Sequence, residues 1–196
     1  MTFGIANEII FAVLLVVGSF IFSILIIYLI QSQSRKKLDP LAAELGGTII
    51  MKILTGPRLE LMNYDRPTTV RLTPGGKNSP PHLILEQTSR SPIKLSISIE
   101  NFATRALGKW GLLKDVKLGD PVFDDKYLVH SDDERQAANY IQTPTRREAI
   151  EYFFANGFSM LRADKEKIAV WKPSYRDEDL NAEKIRASLG QLRNLA

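Results

Sequence analysis

The 196-residue chain predicts an α+β fold: a single N-terminal transmembrane helix, then a cytoplasmic domain with an antiparallel sheet and helices packed on one face. Three observations predict it. Residues Ile9 to Ile30 contain no Asp, Glu, Lys, Arg, His or Pro. Strand-like pieces separated by turn residues fill the first half of the remainder. Capped helical segments with apolar stripes then dominate the second half. The mean hydropathy of the whole chain is -0.10, an average that conceals this division.

The anchor comes first. As a helix the apolar run is about 33 Å long, against a hydrocarbon core of about 30 Å. A cleaved signal peptide needs a basic leading region, a shorter apolar core and a small-residue cleavage site. Residues 1–8 carry no Lys or Arg, and the run ends in Gln31-Ser-Gln-Ser-Arg35, so a retained span over 9–31 is expected. Its N-terminal flank carries only Glu8, whereas Arg35, Lys36 and Lys37 follow it. Basic residues stay on the cytoplasmic side. That places residues 1–8 outside the cell inner membrane, a basic juxtamembrane linker and short helix at 32–45, and the domain at 46–196 in the cytoplasm. Arg35, Lys36 and Lys37 are also the candidates for contact with anionic lipid headgroups, at about 1 kcal/mol per charge near the surface. Within the span Gly18, Ser19 and Ser23 are small, and the 19/23 pair has the spacing that lets two membrane helices approach.

The domain elements follow in order. Asp39-Pro40-Leu41 reads as a helix start, with Asp39 as N-cap and Pro40 in the first turn, and Gly46-Gly47 as its end. Strands are expected over Thr48–Leu54, Leu59–Tyr64, Thr68–Thr73, Leu83–Thr88 and Ile93–Ile99, with Pro74 to Pro81 as a turn or loop. In the last strand Ile93, Leu95, Ile97 and Ile99 alternate with Lys94, Ser96, Ser98 and Glu100, which puts the apolar set on one buried face. Tyr127 and Val129 suggest a short strand leading into Ser131-Asp132-Asp133-Glu134, a capping box with Ser131 as N-cap. The helix it opens should end near Ile141. Thr143-Pro144 starts another that stops at Gly157. Phe158–Arg162 and Ile168–Trp171 read as a hairpin. From about Asp177 a terminal helix places Leu180, Ile185, Leu189 and Leu192 on one stripe.

Chemistry is sparse. Cysteine is absent and only two histidines occur, which excludes disulfides, thiolate metal sites and thiol catalysis. The acidic residues Asp120, Asp124, Asp125, Asp132 and Asp133 are the only group from which a metal site could be built. Their positions at turns, strand starts and a first helical turn account for them structurally. His82 and His130 have no Ser or Cys nucleophile nearby in sequence. Gly75-Gly76-Lys77 lacks the spacing of a phosphate loop and the helix that would follow it. The net charge of +4 is spread among interleaved signs, so no nucleic-acid partner is expected. No cofactor and no catalytic residue is expected either.

Residues Val116 to Trp171 carry Gly119-Asp120-Pro121-Val122-Phe123-Asp124-Asp125-Lys126-Tyr127-Leu128-Val129, then Ser131-Asp132-Asp133 and Thr143-Pro144. This resembles an uncharacterised bacterial family of membrane-associated proteins, with its acidic-Pro-x-Phe core, aromatic-x-Val strand, Asp-containing turn and Thr-Pro helix start. The matching region is just over a quarter of the chain. The resemblance implies the fold and membrane attachment and implies no chemistry. Together these features read as a non-enzymatic accessory or scaffold subunit of a larger integral membrane complex, respiratory, photosynthetic or transport. A lipid-surface or sensor module is the alternative reading, and an unrecognised enzyme a third.

Overall fold

The computed structural model describes residues 2–52, 56–77, 79–89, 93–99 and 116–196. It opens with α1 (Thr2–Leu45), one helix of 44 residues. The separate short helix expected at Asp39 does not exist, because α1 passes from the apolar run into the domain without a break. Pro40 lies inside it. Proline lacks the N–H that would bond the Lys36 carbonyl, a defect that ends many helices. Here Lys36 and Pro40 are both exposed, so the proline sits on the side of the helix away from the core. On the opposite side Ser34, Leu38 and Leu41 are buried and Leu45 is half-buried. Their spacing of four, three and four residues makes one helical stripe, and its burial holds α1 together across the proline.

Gly46 and Gly47 close the helix, both donating to the Ala42 carbonyl. Gly46 has φ +74°, which favours glycine. A Cβ at Gly47 would fall 2.8 Å from the Glu60 carbonyl oxygen, so only glycine lets the chain turn back this tightly against the next hairpin.

Eight strands follow among the described residues: β1 (Thr48–Lys52), β2 (Gly56–Asn63), β3 (Arg66–Thr73), β4 (His82–Thr88), β5 (Leu95–Ile99), β6 (Tyr127–Ser131), β7 (Met160–Ala163) and β8 (Lys167–Pro173). They form one sheet in the order β1-β2-β3-β4-β8-β7-β5-β6, with every adjacent pair antiparallel. The expected strands are therefore present, although residues 53–54 of the first lie outside the described residues. One register row crosses the whole sheet through Ile49, Leu59, Val70, Leu85, Val170, Leu161, Ile97 and Val129. All but Ile49 are fully buried, each such side chain contributing about 1.5–3 kcal/mol by its removal from water. In β5 the alternation holds for Leu95 and Ile97. Ile99, expected on the buried face, is 42% exposed at the strand end, where it lines an open cleft.

Helices cover the face that carries this row. They are α2 (Pro121–Asp124), α3 (Glu134–Gln142), α4 (Pro144–Ala155), a 3-10 turn (Asp177–Leu180) and α5 (Ala182–Leu195). α5 packs between α4 and α1 and also touches β4. Ile150, Phe153, Ile185, Leu189, Leu192, Leu38 and Leu41 join the sheet residues in one hydrophobic cluster.

Two caps differ from expectation. Asp133, not Ser131, caps α3, its carboxylate accepting from the Gln136 N–H at 3.0 Å. Ser131 is retained by β6, and its hydroxyl donates to the Lys94 carbonyl at 2.8 Å. Thr143 precedes α4 but makes no side-chain cap, because its hydroxyl donates back to Asn139. The stop at Gly157 is as expected. Gly157 (φ +82°) and Phe158 donate to the Phe154 and Phe153 carbonyls, and the Phe158 ring meets Phe153 edge-on at 5.0 Å. That pairing of a 6→1 bond with an apolar contact is a Schellman motif.

Candidate functional site

The site that ties sequence to function is the junction where α1 enters the domain. Ile30 ends the apolar run, and Ser34, about 6 Å further along the helix, is already buried. Beneath it Leu38 and Leu41 reach the core, while the 3-10 turn and α5 lie alongside.

Among the three basic residues, the structure separates one from the others. Lys37 turns toward the domain. Its ammonium donates to Asp177 at 2.6 Å and lies 5.7 Å from the centre of the Tyr175 ring. The hydrogen bond to Asp177 holds the Lys37 ammonium above its ordinary range, against the opposing effect of burial. Burial raises the Tyr175 phenol above its ordinary value. Arg35 faces Asp39 one turn along at 3.9 Å, both side chains more than half exposed. Lys36 is exposed, and none of the ion pairs among the described residues includes it.

Contacts along the junction run in order. The Arg186 guanidinium donates to the Glu44 carbonyl at 3.4 Å, about 10 Å along α1 from Lys37. Past the end of α1, Arg193 lies 4.1 Å over the Tyr64 ring, and Asn63 donates to the Leu189 carbonyl at 2.9 Å. α1 and α5 therefore run in the same direction. Nothing local in the sequence pairs Tyr175, Asp177 or Arg186 with α1. The stripe through Ser34, Leu38, Leu41 and Leu45 was a readable signal, hidden by the proline.

Within the apolar run the structure leaves the helix surface bare. Every described side chain from Leu14 to Ile30 is exposed, and this is the one helix among the described residues long and apolar enough to cross a membrane. Ser19 donates to the Val16 carbonyl and Ser23 to the Ser19 carbonyl, both at 2.8 Å. Their hydroxyls are satisfied within the helix. Open space lies beside Gly18.

The acidic residues of the Gly119–Val129 segment have structural partners. Asp120 caps α2, accepting from the Val122 and Phe123 N–H groups. Its second oxygen takes a 2.7 Å bond from Arg147, whose Nε donates to Glu151 at 2.7 Å. The same guanidinium stacks 4.2 Å over Phe123. The Arg147 bond, then the Phe123 N–H, hold the Asp120 carboxyl below its ordinary value. Asp124 accepts from the Leu118 and Gly119 N–H groups, each at 3.0 Å. An open cleft of about 680 Å³ lies beside them, lined by Val122, Phe123, Tyr127, Arg147, Glu151 and Phe154. Arg147 is already committed to two carboxylates. Asp125 lines this cleft, while Asp132 and Asp133 stand at the other end of β6. Among the described residues no three His, Asp or Glu side chains converge as metal ligands would. His82 begins β4 between Thr73 and Pro173, and His130 sits in β6 opposite Ser96.

No protein-family model matches the chain, and no curated protein does. Among solved structures the chain is similar to the crystal structure of the mycobacterial trehalose monomycolate transport factor A, TtfA, with a TM-score of 0.52 and 10% sequence identity. The alignment covers 83% of this chain and 96% of that one. At that identity the likeness is one of fold: a large antiparallel sheet with helices recurs under a nearly unrelated sequence.

Proposed function

We propose that the chain is a membrane-anchored, non-enzymatic accessory or scaffold subunit that binds and stabilises a larger membrane protein complex. The observation that carries this reading is the continuity of α1. One helix offers a bare apolar surface of membrane length at one end and is built into the domain core at the other. With no loop between them, a contact made by the span fixes the direction in which the domain points. Such a bracket suits an assembly role better than turnover. The fold shared with a mycobacterial transport factor supports a place beside membrane transport machinery. The span lies in the inner membrane with its N-terminus outside and the domain in the cytoplasm, as the charge asymmetry around the span favours.

Affinity purification of the full chain from mild detergent tests this. An integral membrane partner should co-purify, and a flexible Gly-Ser insertion after Gln33 should lose it while the chain stays in the membrane fraction. A chain that runs alone overturns the assembly role. A reporter fused after Ala196 that is active only outside the cytoplasm overturns the topology.

A further inference from the structure

The antiparallel sheet gives the domain two ends, and the junction contacts fix which of them faces the bilayer. Lys37, about 10 Å beyond Ile30 along α1, holds Asp177. Asp177 follows closely on β8, whose last residue Pro173 pairs with His82, and His82 pairs with Thr73. The Ser174 N–H donates to the Pro81 carbonyl at 2.8 Å. The β3–β4 connection and the Ser174–Glu178 segment therefore lie at the same end as the exit of the span. Gly76 and Ser79 bridge to each other, so this connection is a tight turn with Lys77 in its tip. Three residues on each side give that tip a reach of at most about 10 Å past the Thr73–His82 pair. The opposite end holds the β2–β3 turn at Tyr64-Asp65 and the β7–β8 turn at Asp164 to Glu166.

Headgroups occupy about 5–7 Å on each side of the hydrocarbon core, and Ser34 is buried about 6 Å beyond Ile30. The domain thus begins where the headgroup layer ends, with no spacer. Lys36 and Lys77 are exposed and make no ion pair among the described residues. Arg176 is 80% exposed and only loosely paired, 3.5 Å from Glu178. We propose that this end of the domain rests on the bilayer, with Lys36, Lys77 and Arg176 against anionic phospholipid headgroups. The inference depends on α1 being a membrane anchor and adds the orientation of the domain and a second point of attachment, the β3–β4 turn.

The absence of cysteine makes the test direct. S79C in the near turn and K165C in the far one each carry a single fluorophore, in the full chain reconstituted into vesicles with headgroup-attached quenchers. The label at 79 should be quenched several-fold more than that at 165. Adding phosphatidylglycerol to phosphatidylcholine should deepen the difference, and K36Q/K77Q/R176Q should abolish that gain, each lost charge weakening contact about fivefold. Equal quenching at both positions, or no response to phosphatidylglycerol, overturns the proposal while the anchor stands. Release of the chain from vesicles by alkaline carbonate overturns both.

Discussion

The Lys37 ammonium sits 2.6 Å from the Asp177 carboxylate across 140 positions of sequence, joining α1 to the turn before α5. Both partners reach water, 43% and 82% exposed, and exposed pairs of this kind contribute about 0–1 kcal/mol. The strength of the junction lies beneath them, in Leu38 and Leu41. Leu38→Ala or Leu41→Ala is expected to lower unfolding stability by about 2–5 kcal/mol, the usual cost of a core cavity. Asp177→Asn should cost less than about 1 kcal/mol, and Phe20→Ala on the bare helix surface should leave the domain unchanged. Denaturant titration of the full chain in detergent checks all three. An Asp177→Asn loss as large as that of Leu38→Ala would show the ion pair, not the core, to hold the junction.

That hierarchy explains what was legible in the sequence. Leu95 and Ile97 announce their strand because alternation is local and both neighbours of β5 bury the same face. Gly157 announces a helix stop because only a left-handed residue fits there. Pro40 misleads for the same reason that those succeed: its local preference is to start a helix. The burial of Leu38 and Leu41 by distant elements overrides it. Ser131 and Asp133 compete for one cap, and the winner depends on where β6 stops, which β5 decides through Lys94. The Lys37–Asp177 and Arg186–Glu44 contacts are set by the parallel course of α1 and α5, which no local pattern reports.

Lys172 and Asp179 form the least exposed ion pair described, 2.7 Å apart with 18% and 13% of their side chains in water. Lys172 also donates to the Asn156 carbonyl at 2.8 Å, tying β8 to the end of α4. Removing one partner strands the other, so Asp179→Ala should cost about 2–4 kcal/mol, and Lys172→Met/Asp179→Leu should recover part of that loss. Burial pushes the Asp179 carboxyl up, but the Arg176 N–H and the Lys172 ammonium outweigh it and leave it below the ordinary 3.8. A depressed carboxyl stabilises the fold above its unfolded value and loses that stability as pH falls through its folded one. Thermal unfolding scanned downward from pH 4 should therefore be less steep in Asp179→Asn than in the parent. An unchanged acid limb would exclude Asp179 as a contributor.

The β2–β3 turn places Tyr64 at φ +50° and Asp65 at φ +64°, both in the left-handed region. Two such residues define the turn that suits a right-twisted hairpin, where glycine is preferred in the second position. Asp65 has a Cβ that this conformation disfavours, and no hydrogen bond of its side chain is described. Asp65→Gly should relieve more strain than the extra unfolded-state freedom costs, a gain of about 0.5–1 kcal/mol, or about 1–4 °C in Tm for a chain of this size. Asp65→Val, β-branched in the same conformation, should lose stability. A lower Tm for Asp65→Gly would mean that the aspartate makes a favourable contact at the turn.

Tyr140 ties α3 to the end of α5. Its hydroxyl donates to the Leu195 carbonyl, its side chain is 5% exposed, and Arg146 stacks 4.2 Å over its ring. Burial pushes the phenol up to about 12 from an ordinary 10.0, with the Arg146 charge pulling the other way. A raised phenol is neutral in both states below pH 10, where its contribution is fully present. Between pH 10 and about 12 the unfolded chain sheds the proton that the folded chain keeps, so stability falls as pH rises, by roughly 3 kcal/mol over the interval. Tyr140→Phe should flatten that decline. It should also lower neutral-pH stability by about 1–2 kcal/mol, because the buried Leu195 carbonyl loses its donor. Denaturant midpoints at pH 8 to 11.5, beside the tyrosinate absorbance of the folded protein, separate this residue from Tyr127 and Tyr175, whose phenols are also raised by burial. If Tyr140→Phe and the parent decline in parallel, Tyr140 is not the group that sets alkaline stability.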